Sequence, residues 1–290
     1  MWIKFANLAR KSGRMNLAQK TIESLRPHVD QDPQQASPEV IYAHLKFMWA
    51  SGDRIQAVDY LRDWASKLSA DLGLTQAELS GRVPTLAARA KSRQWQSDMQ
   101  EDWAARDIPD ILRCYYLATQ FDNTWYKAWH TWAMCNLDVI GHFETVNDTR
   151  TEEAAPNLVR HVAAAVQGFF RSIALRSDAS FQETLRVLTL WFKFGAHEEV
   201  SMAMTDGFHT VNVTTWLEVI PQIIARIQTP SALVRRLISQ LLNDVGRAHP
   251  QALIYPLTVA SKSSSIARRN AATSIMDRMR EHSPKVVDQL

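Results

Sequence analysis

Three tryptophans in one short segment place the strongest constraint on the fold of this chain. The segment TWYKAWHTWAMCN covers residues 124–136, and Trp125, Trp129 and Trp132 recur in it at positions i, i+4 and i+7. That spacing predicts a helix with three indoles along one stripe, which must be buried against other elements. Lys127 lies two positions beyond Trp125, about 200° around such a helix, and is predicted to point away from the indoles.

The composition indicates an ordered protein with no membrane insertion of its own. Hydrophobic residues make up 46% of the 290 residues, and only nine are glycine. The 33 basic residues exceed the 30 acidic ones by too little to indicate a nucleic-acid partner. No run reaches the roughly 18 apolar residues that cross a bilayer. Cys114 and Cys135 form no CxxC pair, which favours a reducing compartment and a cytoplasmic location.

Two helical hairpins with matching turns are predicted near the start of the chain. Gly13 is followed five residues later by Ala18, and Gly52 is followed at the same spacing by Ala57. A glycine in the turn and a small residue at the closest contact are typical of tetratricopeptide (TPR) repeats. A loop is predicted at residues 70–83, followed by a helix at residues 84–95.

The second half of the chain has longer and less regular helical patterns. They follow a polar stretch with a proline near its end, which is typical of an exposed linker. We therefore predict an all-α fold in three parts: TPR-like helical repeats at residues 1–140, a linker at residues 141–158, and HEAT-like helical repeats at residues 159–290. Together they would form an α-solenoid.

The sequence contains no recognisable catalytic motif. HExxH, GxSxG, the phosphate-binding GxxxxGK[ST] loop and the kinase signatures are all missing. His197, Glu198 and Glu199 are adjacent, so they would point in different directions around a helix and are interpreted as a solvated turn rather than a metal site. His130 is interpreted as a partnered helix histidine, and Cys135 as a small buried hydrophobe. We predict neither catalytic residues nor metal ligands.

Basic residues scattered along the chain have two interpretations. A paired-helix array gathers about one residue per helix on its concave face, so distant cations can converge there. The candidate set comprises Lys46, Arg89, Lys91, Arg93 and Lys127. Lys46 and Lys127 lie among apolar neighbours and need a route to water, an acidic partner or a bound anion. Under the other interpretation, the ammonium groups of these lysines simply reach solvent. Arg235 with Arg236, and the pair at residues 268–269, are either exposed helix residues or contacts to a partner.

Several long segments resemble the C-terminal part of the FAT domain of TOR (target of rapamycin) kinases. The resemblance covers the whole chain in one order. It is carried by residues 124–136, 166–175, 184–195 and 215–227, and above all by HPQALIYPLTVASKSS at residues 249–264. TOR kinases are serine/threonine protein kinases of the phosphatidylinositol-3-kinase-related group, so the resemblance implies a part in TOR signalling, growth and nutrient control.

The resemblance implies a scaffold rather than an enzyme. The FAT domain of that family is a helical solenoid that clamps the kinase domain of the same polypeptide, and this chain lacks that kinase domain. ATP would bind only there. Both ends of the chain are expected to be cuts through a longer polypeptide. The implied partners are the kinase domain and the TOR complex subunits, with a cytoplasmic location and access to endomembranes through the complex.

The resemblance also implies a structural cofactor, inositol hexakisphosphate, held by basic residues of the FAT domain. The lysine of the family's Tyr-x-x-x-Lys helix matches Lys46, and the arginine before the next turn matches Arg89. The lysine of its Trp-Tyr-Lys-Ala-Trp motif matches Lys127. A fourth position is ambiguous because the segment that follows Arg89 is two residues shorter than in the family. Counting forward selects Arg93, and counting back from the next tryptophan selects Lys91.

A second hypothesis belongs to a different class of function. An independent TPR/HEAT-like module would bind a partner peptide in its concave groove. The apolar stripe that starts at Val286 and stops at Leu290 argues against it, since an independent module would have a capped final helix.

Overall fold

The computed structural model describes residues 1–25, 38–70, 106–121, 123–145, 154–176 and 180–284. In these ranges every regular element is a helix and none is a strand. The chain divides into two compact units, Met1–Asp122 and Asn123–Leu290. The predicted all-α fold of helical repeats is confirmed. No helix in the described ranges is both long enough and apolar enough to cross a membrane.

The first unit is built from helical hairpins. Its helices are α1 (Trp2–Lys11), α2 (Met15–Ser24), α3 (Pro38–Ser51), α4 (Arg54–Ala70) and α5 (Ile108–Phe121). Helix α1 packs on α2 and α3 packs on α4, while α3 also contacts both helices of the first hairpin.

The matching turns of these hairpins require glycine. Gly13 has φ of 77° and Gly52 has φ of 106°, in the left-handed region that other residues rarely adopt. The alanines five residues later are fully enclosed, since Ala18 and Ala57 each have 0% exposure. The predicted pairing of a turn glycine with a close-contact alanine is confirmed in both hairpins. The helix predicted at residues 84–95 lies outside the described residues.

The second unit contains eight α-helices and one 3₁₀ helix in its described part. They are α6 (Tyr126–Thr145), α7 (Ala154–Leu175), α8 (Phe181–Phe194), α9 (Glu198–Phe208), the 3₁₀ helix Val213–Val219, α10 (Ile220–Ala225), α11 (Ala232–Ala248), α12 (Pro250–Ser261) and α13 (Ile266–His282). Helix α7 lies at the centre of the first four and contacts α6, α8 and α9. Helices α11, α12 and α13 pack on one another.

Helices α6 and α7 approach closely because one position on α7 has no side chain. A Cβ atom added to Gly168 would lie 2.9 Å from the Cβ of Ala133 and 3.1 Å from Cε3 of Trp132. Both distances are below ordinary van der Waals contact, so the packing of this hairpin depends on glycine at residue 168.

The tryptophan stripe is buried at one end and only partly covered at the other. Trp132 is buried, whereas Trp125 and Trp129 are half-buried. The prediction of a fully buried stripe is therefore wrong for two of the three indoles. Helix α6 begins at Tyr126, so Trp125 precedes it, and the Nε1 of Trp129 donates a hydrogen bond to the Asn123 carbonyl at 2.9 Å.

The linker predicted at residues 141–158 stays a prediction, because residues 146–153 lie outside the described residues. Helix α6 continues to Thr145 and α7 begins at Ala154, so the described part of that segment is largely helical. Along the chain, the boundary between the two compact units falls between residues 122 and 123. The physical reason is the packing of α6 along α7, which places the tryptophan helix in the second unit.

Candidate anion-binding site on the second unit

A cavity of about 380 Å³ opens where α6 begins, α7 ends and α8 begins. Every lining residue carries a polar group, and three of the side chains are permanently basic. The lining residues are Tyr126, Lys127, His130, Thr131, Arg176, Gln182, Glu183 and Arg186. All of them belong to the second unit.

Lys127 lies at this cavity with its side chain exposed, as the helical spacing predicted. Its backbone carbonyl accepts a hydrogen bond from Thr131 Oγ1 at 2.7 Å, which is an ordinary intrahelical contact. Its ammonium group forms no ion pair with any residue in the described ranges. The three donors of Lys127 Nζ are therefore available to a ligand.

Arg176 links the end of α7 to the start of α6. Its Nη1 donates a hydrogen bond to Tyr126 Oη at 2.8 Å, and its guanidinium carbon lies 5.0 Å from the centroid of that tyrosine ring. Contact with the face of an aromatic ring favours a cation, because the ring's quadrupole attracts it. These two contacts place the arginine at the cavity that Lys127 also lines.

A buried carboxylate organises the floor of the cavity. Glu183 on α8 is 8% exposed, and its Oε1 accepts hydrogen bonds from Ser172 Oγ at 3.0 Å and from His130 at 2.5 Å. A carboxylate oxygen is an acceptor, so the His130 Nδ1 is the donor. This contact confirms His130 as a partnered helix histidine. It also means that Oε1 of Glu183 accepts two internal hydrogen bonds.

The electrostatics of the cavity favour a bound anion. Arg186 lies one helical turn beyond Gln182 on α8, with its guanidinium carbon 6.0 Å from the ring centroid of Phe169. Lys127, Arg176 and Arg186 therefore supply three cations around one carboxylate that is already hydrogen-bonded. Phosphate and carboxylate groups form their strongest hydrogen bonds with such donors.

The other predicted cofactor residues are not brought together by the described structure. Lys46 belongs to the first unit, where its Nζ lies 3.7 Å from the ring centroid of Tyr42, one turn earlier on α3. Burial raises the pKa of Tyr42 to about 12. Arg89, Lys91 and Arg93 lie outside the described residues. Convergence of the five basic residues stays a prediction.

Sequence reasoning missed the residues that α7 and α8 contribute, namely Arg176, Glu183 and Arg186. One signal was available for Glu183, because it occupies the same helical stripe as the buried Val187 and Leu190. A carboxylate on an apolar stripe requires a hydrogen-bonding partner nearby.

The solvated turn at residues 197–199 is confirmed. His197 precedes α9, and Glu198 and Glu199 form its first turn, with all three side chains exposed. Cys135 is buried, as expected for a small hydrophobe.

Comparison with models of protein families shows to which family this chain belongs. The model of the FAT domain matches residues 1–189, well over half of the sequence. The chain belongs to the FAT domain family. A second model, described as the HEAT repeats of "Serine/threonine-protein kinase ATR-like" proteins, matches residues 199–289 of this FAT segment.

Relatives of the FAT segment include TOR kinases of distant organisms. It is 42% identical over 338 residues to "Serine/threonine-protein kinase TOR2" of Saccharomyces cerevisiae, covering 99% of this chain and 14% of that protein. It is also 42% identical over 310 residues to "Serine/threonine-protein kinase mTor" of Drosophila melanogaster, covering 99% of this chain and 13% of that protein. The resemblance to TOR kinases is confirmed, and the FAT segment spans a small part of their length.

Solved structures support the fold of the FAT segment. The "FAT and kinase domain of CtTel1" matches 99% of this chain and 23% of that one, with a TM-score of 0.59 and 12% identity. The "open conformation of CtTel1" matches 98% of this chain and 12% of that one, also with a TM-score of 0.59 and 12% identity. At this identity the likeness supports a shared helical fold alone.

Proposed function

We propose that this FAT segment, a helical scaffold part of a TOR-type kinase, clamps the kinase domain of the same polypeptide. The observation that carries the proposal is the match to TOR kinases over 99% of the chain, combined with an architecture of stacked helices. ATP binding and phosphotransfer would belong to the kinase domain of the longer protein. TOR complex subunits are further proposed partners, with a cytoplasmic location and access to endomembranes through the complex.

We also propose that the FAT segment binds inositol hexakisphosphate as a structural cofactor. The cavity at the start of α6 supports this, because the exposed Lys127 lies there beside Arg176 and Arg186. Its volume of about 380 Å³ is within the usual range for small-ligand sites, roughly 300–1,000 Å³. Phosphate groups in this cavity would form charge-assisted hydrogen bonds with three helices at once and offset the repulsion among the cations.

Thermal unfolding of the 290-residue chain with inositol hexakisphosphate tests this cofactor proposal. A ligand at about 100 times its Kd adds about 2.7 kcal/mol to a site found only in the folded state, which raises Tm by several degrees. Inorganic phosphate at matched ionic strength should give a much smaller shift. Lys127→Ala should reduce the shift and leave the helix content measured by circular dichroism unchanged.

Lys262→Ala is the matched control for Lys127→Ala. Lys262 is also exposed and belongs to the second unit, but it does not line the cavity. Its replacement should preserve the full ligand-induced shift. An undiminished shift in Lys127→Ala would overturn the assignment of the cofactor to this cavity.

A further inference from the structure

A long groove runs between α11 and α13, and its lining residues are distant in sequence from those of the cavity at Lys127. Three adjacent cavities of about 320, 520 and 280 Å³ share lining residues and together form it. Arg278 on α13 lines all three, while Arg236 and Arg247 on α11 line two each. We call this feature the α11–α13 groove. It includes Arg235 and Arg236, which the sequence analysis interpreted either as exposed helix residues or as contacts to a partner.

The charge of the α11–α13 groove is predominantly positive and is not neutralised internally. Arg236, Arg247 and Arg278 are exposed, and within the described ranges none of them forms an ion pair. By contrast, Arg280 on α13 pairs with Asp277 at 2.9 Å. Two carboxylates, those of Asp244 and Glu281, also line the groove, so the arginines outnumber the acids.

The spacing of the cations matches an elongated ligand. Arg236 and Arg247 are eleven residues apart on one helix, which corresponds to roughly 16 Å along its axis. Arg278 faces the same groove from α13. Single phosphate or carboxylate ions would engage one of these positions at a time, whereas a chain with several acidic groups can engage all three together.

Asn243, which lines two of the three cavities, has an acceptor without a donor. Asn243 Oδ1 is shielded from solvent and accepts no hydrogen bond from the described residues. Helices α11 and α13 approach closely beside it, because a Cβ on Gly246 would lie 2.8 Å from Met279 Cγ. A shielded acceptor gains free energy when a ligand brings a donor to it. Inositol phosphates present mainly acceptors, but a polypeptide also presents N–H groups.

We infer that the α11–α13 groove docks an acidic polypeptide segment. Its Asp or Glu carboxylates pair with Arg236, Arg247 and Arg278, and rotation of the Asn243 side chain lets Oδ1 accept a hydrogen bond from one of its N–H groups. Complementary charge along the groove sets the partner's orientation and speeds its association. This inference goes beyond the proposed scaffold and cofactor roles and uses none of the residues at the Lys127 cavity.

Fluorescence anisotropy with two labelled peptides tests the inference on the 290-residue chain. One peptide of about 16 residues alternates Glu and Ala, and the other replaces every Glu with Gln. We expect the Glu peptide to bind at least about tenfold more tightly than the Gln peptide, and its affinity to fall as salt is added. The double substitution Arg236→Gln with Arg278→Gln should weaken binding of the Glu peptide about tenfold.

The matched control is the double substitution Lys262→Gln with Arg268→Gln, which removes the same charge outside the groove. It should change the affinity for the Glu peptide less than about twofold. Equal losses in the two double variants would overturn the site, since attraction would then follow net charge alone. Equal affinity for the two peptides would overturn it as well.

Two further measurements distinguish a polypeptide from a phosphate ligand. Asn243→Leu removes the shielded acceptor, so the variant should unfold at the same or a higher temperature yet bind the Glu peptide several-fold more weakly. Unchanged affinity would overturn the role of Asn243.

If the Arg236→Gln and Arg278→Gln substitutions abolish stabilisation by inositol hexakisphosphate and leave peptide affinity intact, the groove is a phosphate site and the inference is overturned.

Discussion

At the scale of single residues, Glu183 is predicted to stabilise the second unit through hydrogen bonds to two other helices. Its carboxylate accepts hydrogen bonds from His130 on α6 and Ser172 on α7. Glu183→Ala would leave the buried Ser172 hydroxyl without its acceptor and remove the partner of the half-buried His130, and we expect a loss of about 2–3 kcal/mol in the free energy of unfolding. Urea denaturation measures this loss.

The control for Glu183→Ala is Glu144→Ala, which also removes a carboxylate with a cationic partner. Glu144 pairs with Lys193 at 2.6 Å, but the two side chains are 35% and 52% exposed. Exposed ion pairs contribute at most about 1 kcal/mol, so this variant should be close to the wild type. Similar losses in both variants would contradict the assigned role of Glu183.

His161 makes the stability of the chain depend on pH. Its Nδ1 lies 2.8 Å from Asn136 Oδ1, and burial lowers its pKa. The unfolded imidazole takes up a proton near pH 6.5, whereas the folded one does so only at lower pH. The unfolded state therefore binds more protons in that window, and stability falls as the pH drops below about 6.5.

Denaturation at pH 7.5 and 5.5 measures the contribution of His161 to this pH dependence. His161→Gln keeps a hydrogen-bonding side chain that does not titrate in this range. We expect the variant to lose less stability than the wild type between the two pH values. An identical pH dependence in the two proteins would rule out His161 as the responsible group.

At the scale of elements, two glycines on the α6–α7 hairpin should respond oppositely to the same substitution. A Cβ at Gly168 would crowd Ala133 and Trp132, while a Cβ at Gly141 on α6 would meet no atom within 4 Å. Gly168→Ala should therefore lower the free energy of unfolding by about 1–3 kcal/mol. Gly141→Ala should raise it by up to about 1 kcal/mol, because alanine favours the helical state. Destabilisation of equal size at both positions would contradict the packing role of Gly168.

Helices and turns could be predicted where the residues that determine them lie close together in the sequence. The turn glycines and the alanines five residues later identified both hairpins of the first unit, because backbone conformation and close contact are set within one repeat. The exposure of Lys127 followed from helical geometry in the same way. The contact between His130 and Glu183 spans 53 residues, so no local pattern pairs them. The partial exposure of Trp129 also depends on where α6 begins and how α7 covers it.

At the scale of the whole molecule, net charge is a poor guide to the binding sites of this chain. A formal charge of +3 gives no indication of two separate clusters of cations. The first cluster forms because the end of α7 lies beside the start of α6. The second forms because α11 and α13 pack side by side. Each combines residues far apart in sequence, which explains why the sequence analysis identified only Lys127, Arg235 and Arg236 among the cations of these two clusters.

The close packing of α6 on α7 also indicates where additional residues can be inserted into this chain. Contacts along the two helices, such as those around Gly168, hold the hairpin together. Helix α6 ends at Thr145, and α7 begins at Ala154. Joining two ends that are already fixed costs only about 0.6 kcal/mol for each doubling of the connecting loop. Residues inserted between Thr145 and Ala154 should therefore have little effect on the fold, and an epitope or protease site placed between these two helix ends should be tolerated.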